Sequence, residues 1–166
     1  MHFLVYIISY PLIKILSITP FRILYFVSDI ISFLLHKVFK YRLSVVRNNL
    51  KLVFNDKTDS QLKKIEKNFY KYFSDISLES IKPLGMSKKQ MIKRCTYENI
   101  EVLKKIQEKK KNIILICGHY SNFEWLNSIG YNTLGNVYGI YTPMTNKYID
   151  NLFQKIRKKH EAYLIS

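Results

Sequence analysis

The sequence predicts an α/β fold: an N-terminal membrane-anchoring helix, further helices, and an incomplete, mainly parallel sheet with flanking helices. Three observations carry that reading. Residues 3–39 are almost wholly apolar, Ile113-Ile114-Leu115-Ile116-Cys117 is an unbroken apolar run of strand length closed by Gly118, and strand-like and helix-like patterns alternate behind it. An unbroken run, unlike an alternating one, suits a strand buried on both faces, with neighbours on either side and helices above and below. With 166 residues the chain has room for one core of ordinary size. The expected division is an anchor over residues 1–40 and the N-terminal part of an α/β domain over 41–166.

The anchor is interrupted at Pro11, Lys14, Pro20, Arg22 and Asp29, and its second half, Ile23 to Phe39, has 17 residues. That is about 26 Å of helix, the lower limit for a hydrocarbon core of about 30 Å. Asp29 falls near its middle, where a lone carboxylate costs about 2.5 to 3.5 kcal/mol. Arg22, Tyr25, Asp29, Ser32, His36 and Lys40 follow helical steps and form one thin polar stripe, with Leu24, Val27, Ile31, Leu34, Leu35 and Val38 around it. Two placements fit: a marginal span packed against its own protein along the stripe, or a deeply embedded interfacial helix. Lys37, Lys40, Arg42 and Arg47 follow the helix, which by the positive-inside bias puts the rest of the chain in the cytoplasm. No basic segment precedes Phe3 and no small-residue cleavage site follows, so a cleaved signal peptide is not expected.

Leu43, Val46, Leu50 and Val53 then repeat at helical spacing up to Asn55-Asp56. Thr58-Asp59-Ser60-Gln61 has capping-box form, and Leu62, Ile65, Phe69, Tyr72, Phe73, Ile76 and Ile81 mark the expected inward face of a long helix ending before Pro83. Ser87-Lys88-Lys89-Gln90 repeats the device for a short helix, and Asn99 is placed to cap another from Ile100 to Glu108, whose Lys109-Lys110-Lys111 tail solvates its end. After the apolar run, Phe123 to Ile129 reads as helix, Val137 to Tyr141 as strand, and Lys147 to Lys159 as helix with Ile149, Leu152, Phe153 and Ile156 inward. Ala162 to Ile165 begins a third strand. The alternation stops at Ser166, on entry into that strand, which leads us to expect the N-terminal portion of a longer protein.

Lys and Arg number 27 against 12 Asp and Glu, a net charge of +15, in a chain 48% apolar and 14% aromatic. Such a chain folds and carries a diffuse positive field suited to anionic lipid or an acidic carrier protein. Lys accounts for 22 of the 27 cations and Arg for 5, a poor basis for bidentate readout of bases, so nucleic-acid binding is not expected. Cys95 and Cys117 form neither a disulfide framework nor a metal-ligand spacing, which fits a reducing compartment.

Chemistry concentrates in Gly118-His119-Tyr120-Ser121-Asn122-Phe123-Glu124-Trp125. The carboxyl end of a parallel strand is where ligands bind, and Glu124, in the first turn of a following helix, can fold back toward the His119 imidazole. A carboxylate on one ring nitrogen fixes the tautomer and leaves the other free as a general base toward an alcohol. The same residues allow a bland account, since Ser121-x-x-Glu124 is itself a capping box and a lone His after a strand is often structural. Cys117 in a buried apolar strand is expected to be inert. Gly-rich phosphate loops, Gly-x-Ser-x-Gly elbows and His/Cys metal clusters are missing from the sequence.

The octapeptide resembles the His-x4-Asp/Glu motif of the lysophospholipid acyltransferase superfamily, in the form typical of the lipid A late acyltransferases of Gram-negative bacteria. Tyr41-Arg42, Val46-Arg47-Asn48-Asn49-Leu50 with Phe54, Phe69-Tyr70, Tyr97-Glu98-Asn99 and the block Tyr141 to Tyr148 with Pro143, Asn146 and Lys147 are similar in order and spacing. The likeness runs along essentially the whole chain and covers the N-terminal portion of such a protein. It implies transfer of a fatty acyl group from an acyl carrier protein or coenzyme A thioester to a hydroxyl of a membrane glycolipid or lysolipid at the bacterial inner membrane. His119 and Glu124 are then the catalytic pair, and Asn122, Tyr141, Thr142, Asn146 and Lys147 contact substrate. The implied thioester is a co-substrate, and neither metal nor cofactor is implied.

The chain also departs from the family pattern. Thr142 stands where the second block usually has Arg, Ser121 and Phe123 replace Gly and Trp, and Lys158-Lys159-His160-Glu161 lacks the usual aromatic-Gly pair. The alternative expectation is a truncated, non-catalytic relative that binds anionic membrane surfaces.

Overall fold

The computed structural model describes residues 2–118 and 120–166. Its helices are α1 (His2–Ile18), α2 (Phe21–Phe33), α3 (Leu43–Val53), α4 (Asp59–Ile81), α5 (Lys88–Arg94), α6 (Ile100–Glu108) and α7 (Lys147–Lys158). Its strands are β1 (Val137–Ile140) and β2 (Ala162–Ile165). The fold is therefore mostly helical and α/β-like. Two compact units divide the chain, residues 19–78 and residues 2–18 with 79–166.

In the 19–78 unit, Pro20 sits before α2 in an extended conformation, φ −55° and ψ 143°. Having no N–H to continue the preceding helix, it separates α2 from α1. A five-residue π-helical turn, Leu34–Val38, follows α2. No helix among the described residues is long and apolar enough to cross a membrane, because this break divides the apolar segment that the sequence reads as one anchor.

The polar stripe of that segment meets its own protein in part: Asp29 and His36 do, with Ser28 beside them, whereas Arg22, Tyr25 and Lys40 are exposed. Ser28 Oγ donates to Asp75 Oδ1 at 2.6 Å, Lys71 Nζ lies 3.1 Å from Asp29 Oδ1, and His36 Nε2 lies 2.7 Å from Glu66 Oε1. Arg47 adds a bond of 2.7 Å from Nε to Glu66 Oε2, and Tyr70 stacks on His36 and donates to the Tyr41 carbonyl at 2.6 Å. Arg47 and His36 hold the Glu66 carboxyl below its usual range, against the opposing effect of burial.

The buried line of α4 runs through Glu66, Tyr70, Ser74 and Leu78, a step away from the expected face, of which Phe69, Tyr72 and Phe73 are exposed while Ile81 is buried as expected. The reason is that the polar side of α2 and of the π turn needs polar partners, and α4 turns its own polar line toward them. Apolar side chains are left outside, among them Ile23, Phe26, Ile30, Phe33, Val38 and Phe39. The capping box of α4 forms as expected, with Thr58 N donating to Gln61 Oε1 at 2.9 Å.

In the second unit, α1 lays Tyr6, Tyr10 and Ile13 against a core of Leu84, Leu152 and Ile156. Its last turn rests on the segment after α4. Lys82 Nζ, buried, donates to the Ser17 carbonyl at 2.7 Å, and a Cβ on Gly85 would come within 2.3 Å of that same oxygen, so only glycine fits. The Ser87 capping box of α5 forms. Asn99 precedes α6 as expected but in a left-handed conformation, φ 54°, without a side-chain cap. β1 and β2 pair in parallel, Val137 opposite Ala162, with α7 as the crossover, as the alternating pattern predicts.

Two expectations fail here. Residues 113–117 have no regular secondary structure and join no ladder among the described residues, and Ile114 and Ile116 are 89% and 90% exposed. Burial on both faces requires paired neighbours, and β1 and β2 pair only with each other. Cys117 is accordingly an exposed free thiol rather than a buried one. The segment expected as helix over Phe123 to Ile129 is helical, as a 3-10 run, Phe123–Asn132.

Two residues before β2 are locally constrained. His160 is 2% exposed, with Nε2 against the Pro83 carbonyl and Nδ1 against the Tyr131 hydroxyl, both at 2.9 Å. Glu161 has φ 65°, a left-handed conformation that costs an L-residue about 1 to 2 kcal/mol. Its carbonyl approaches so closely that Gly130 has no room for a Cβ.

Glu161→Gly is expected to stabilise the protein by about 0.5 to 1 kcal/mol, visible as a Tm rise of about 2 °C. Burial pushes the His160 imidazole below its ordinary value despite the Pro83 carbonyl. The unfolded chain then takes up a proton below about pH 6.5 that the folded one refuses, so stability is full above that pH and falls as pH drops. Thermal melts between pH 7.5 and 5.5 should show a smaller acid-induced Tm loss in His160→Phe than in the unsubstituted protein.

Candidate active site

His119 lies outside the described residues, and the site is built from what surrounds it in sequence. Ser121 has φ 55°, which turns the chain into the 3-10 run. Asn122 Nδ2 donates to Glu79 Oε2 at 2.9 Å and Trp125 Nε1 to the Glu79 carbonyl at 3.0 Å, so both ends of this short segment are fixed to the last turn of α4. Asn122 Oδ1 is buried without a hydrogen-bond partner among the described residues. On the other side, the Tyr97 hydroxyl meets Ser128 Oγ at 2.9 Å, beside Cys95 Sγ at 3.4 Å. Burial, reinforced by Cys95, pushes the Tyr97 phenol well above its usual range, so it serves as a neutral strut.

Glu124 is 7% exposed. Its carboxylate does not cap the helix behind Ser121. Arg157 Nη2 donates to Oε1 at 2.6 Å and Arg157 Nε to Oε2 at 2.9 Å, a two-point ion pair. The pairing raises the guanidinium above its ordinary value, against its own burial. The guanidinium carbon also lies 5.6 Å from the centre of the Tyr141 ring and 5.9 Å from that of Phe153.

The second block follows β1. Tyr141 N donates to the Ile165 carbonyl at 3.0 Å, prolonging the parallel pairing by one bond. Asp150, buried on α7, accepts from Met144 N at 2.9 Å and from Gln154 Nε2 at 2.8 Å, and the Met144 amide chiefly holds its carboxyl below the usual range. Asn146 Oδ1 caps α7 by accepting from Tyr148 N at 3.0 Å. Thr142 and Lys147 are exposed.

Of the residues expected at the site, Glu124 and Tyr141 come together, with Arg157 between them. Asn122 is tied to Glu79, and Asn146 serves as a cap. Arg157, Asp150 and Glu79 escape sequence reasoning. Arg157 had a signal available, being one of 5 arginines in a chain with 22 lysines: where Lys is the default cation, an Arg marks a position that needs a fork. No three His, Cys, Asp or Glu side chains gather as for a metal ion among the described residues.

No curated protein and no solved structure matches the chain significantly. A family model, bacterial lipid A biosynthesis acyltransferase, matches residues 2–166. The match takes in the motif around Glu124, the Tyr141 block and the helix that joins them, and the chain belongs to the bacterial lipid A biosynthesis acyltransferase family.

Proposed function

We propose that the protein transfers a fatty acyl group from an acyl carrier protein or coenzyme A thioester to a hydroxyl of a membrane lipid, the lipid being lipid A or its precursor, at the cytoplasmic side of the bacterial inner membrane. The observation that carries this reading is a buried Glu124, five residues after His119, whose carboxylate is fixed from one side by Arg157. His119 takes the proton of the acceptor hydroxyl, and Glu124 orients the ring and stabilises its cation. The oxygen attacks the thioester carbonyl, a C–O bond forms, the C–S bond breaks, and the departing thiolate recovers the proton from His119. Asn122, Tyr141, Thr142, Asn146 and Lys147 are the proposed substrate contacts.

Membrane residence is supported by the arrangement of residues 19–78, where polar side chains meet inside while Phe26, Ile30 and Phe33 stay exposed at 66%, 45% and 60%. In water such a surface is a liability, whereas in lipid it is solvated. The net charge of +15 suits anionic headgroups and an acidic carrier alike.

Acyl transfer from labelled acyl carrier protein to lipid A precursor should fall by about 10²- to 10⁴-fold in His119→Ala. Unchanged turnover would overturn the assignment and leave a membrane-binding relative without catalysis. Phe26→Glu, on the exposed face of α2, should weaken flotation with anionic vesicles by about tenfold or more, since it removes the insertion of one large apolar side chain. Flotation equal to that of the unsubstituted protein would exclude this face from the lipid contact.

A further inference from the structure

We propose that the lysine-lined face of α5 docks an acidic helical surface of a protein partner. The partner's identity rests on the acyl transfer proposed above: it is the carrier protein that brings the thioester. Lys88, Lys89, Ile92 and Lys93 line a shallow groove of about 570 Å³. They stand at i, i+1, i+4 and i+5, on one face of the helix. All four are exposed, whereas Met91, on the opposite side, is 1% exposed and fixes α5 to the protein.

Charge decides the chemistry of the partner. Between Ser80 and Tyr97 the chain carries five cations and no Asp or Glu, while α4, α6 and α7 all mix acids with their lysines. One of the five, Lys82, is buried against the Ser17 carbonyl. Among the described residues Lys88, Lys89 and Lys93 take part in no ion pair. Lys89 and Lys93 lie one helical turn apart, a like-charge pairing that is mildly unfavourable in the free protein. Carboxylates at the same spacing on a facing helix turn that repulsion into attraction.

Other anionic occupants fit less well. The amides at the start of α5 are already used, since the Ser87 side chain accepts from Gln90 N and the Gln90 side chain from Ser87 N. The lining has neither the guanidinium fork that grips a phosphate nor an aromatic face for a base, so it does not suit a nucleotide. A bilayer contact would set several large apolar side chains beside the cations, and α5 exposes Ile92 alone, at 41%. One apolar side chain between lysines suits the mixed surface of an amphipathic acidic helix instead. The place is also apt. α5 packs against the 3-10 run that carries Glu124: Lys88 Nζ lies 4.6 Å from the centre of the Tyr131 ring, and Cys95 Sγ, just past the helix, lies 3.8 Å from the Trp125 carbonyl.

The test is binding of fluorescently labelled acyl carrier protein to the full chain in non-ionic detergent, read by anisotropy. Coenzyme A and anionic vesicles serve as comparison probes. Lys89→Glu/Lys93→Glu should raise the Kd for the carrier by about tenfold or more, because like charges then face one another. A carrier whose acidic helix residues are changed to Lys should bind the reversed protein more tightly than the unaltered carrier does. An unchanged Kd in the reversed protein overturns the proposal. So does an equal loss of coenzyme A binding, which makes the face a general anion patch, or a loss of vesicle flotation with carrier binding intact, which makes it a lipid contact.

Salt supplies a second measurement that needs no variant. Carrier binding to the unsubstituted protein should weaken severalfold between 0.01 and 0.15 M salt, as the screening length falls from about 30 to 8 Å. Affinity indifferent to salt overturns the proposal even if the reversed protein fails to fold. If the unsubstituted protein binds no carrier yet turns over a coenzyme A thioester, the docking proposal fails and the acyl-transfer reading stands. If the carrier binds in the expected way and His119→Ala leaves turnover unchanged, the catalytic reading fails and the docking face stands.

Discussion

The two-point ion pair between Glu124 and Arg157 is the contact on which the rest of the site depends. Neither residue tolerates its position alone, because a carboxylate or a guanidinium at such low exposure is costly unless paired and hydrogen-bonded. Pairing joins a 3-10 run held to the last turn of α4 through Glu79 with a crossover helix held to the loop after β1 through Asp150. The motif and the second block, 17 residues apart in sequence from Glu124 to Tyr141, thereby share one guanidinium. A short 3-10 segment with poor internal hydrogen bonding could not hold a buried carboxylate in place unaided.

The 19–78 unit obeys a different constraint. Its inner contacts are Ser28 with Asp75, His36 with Glu66, and Arg47 with Glu66, while large apolar side chains stay outside. Ordinary burial has the opposite sense. An arrangement of this kind gives up hydrophobic stabilisation in water and would regain it against lipid. The proposed chemistry and the arrangement of the unit thus call for the same surroundings.

Local devices were legible in the sequence, while partnerships were less so. The capping boxes at Thr58 and Ser87, the extent of α6 and the parallel pair β1 and β2 follow from spacing and from short-range hydrogen bonds. What spacing cannot supply is the neighbour. Residues 113–117 have the pattern of a buried strand, but burial belongs to a sheet and not to a run of residues. The face of α4 was misplaced over its middle turns because its partners there are His36 and Arg47, which reward Glu66 over Phe69 and Phe73, whereas Ile81 is buried as expected. Glu124 could be read as catalytic, but the residue holding it is 33 positions away and carries no motif of its own.

The most direct measurement is urea unfolding of the detergent-solubilised protein in a double-mutant cycle over Glu124→Gln and Arg157→Met. A clamped, buried pair predicts that each single variant loses about 3 to 5 kcal/mol and that the double variant loses less than their sum by about 2 kcal/mol or more. Additive losses would contradict the account, since Glu124 and Arg157 would then not hold one another.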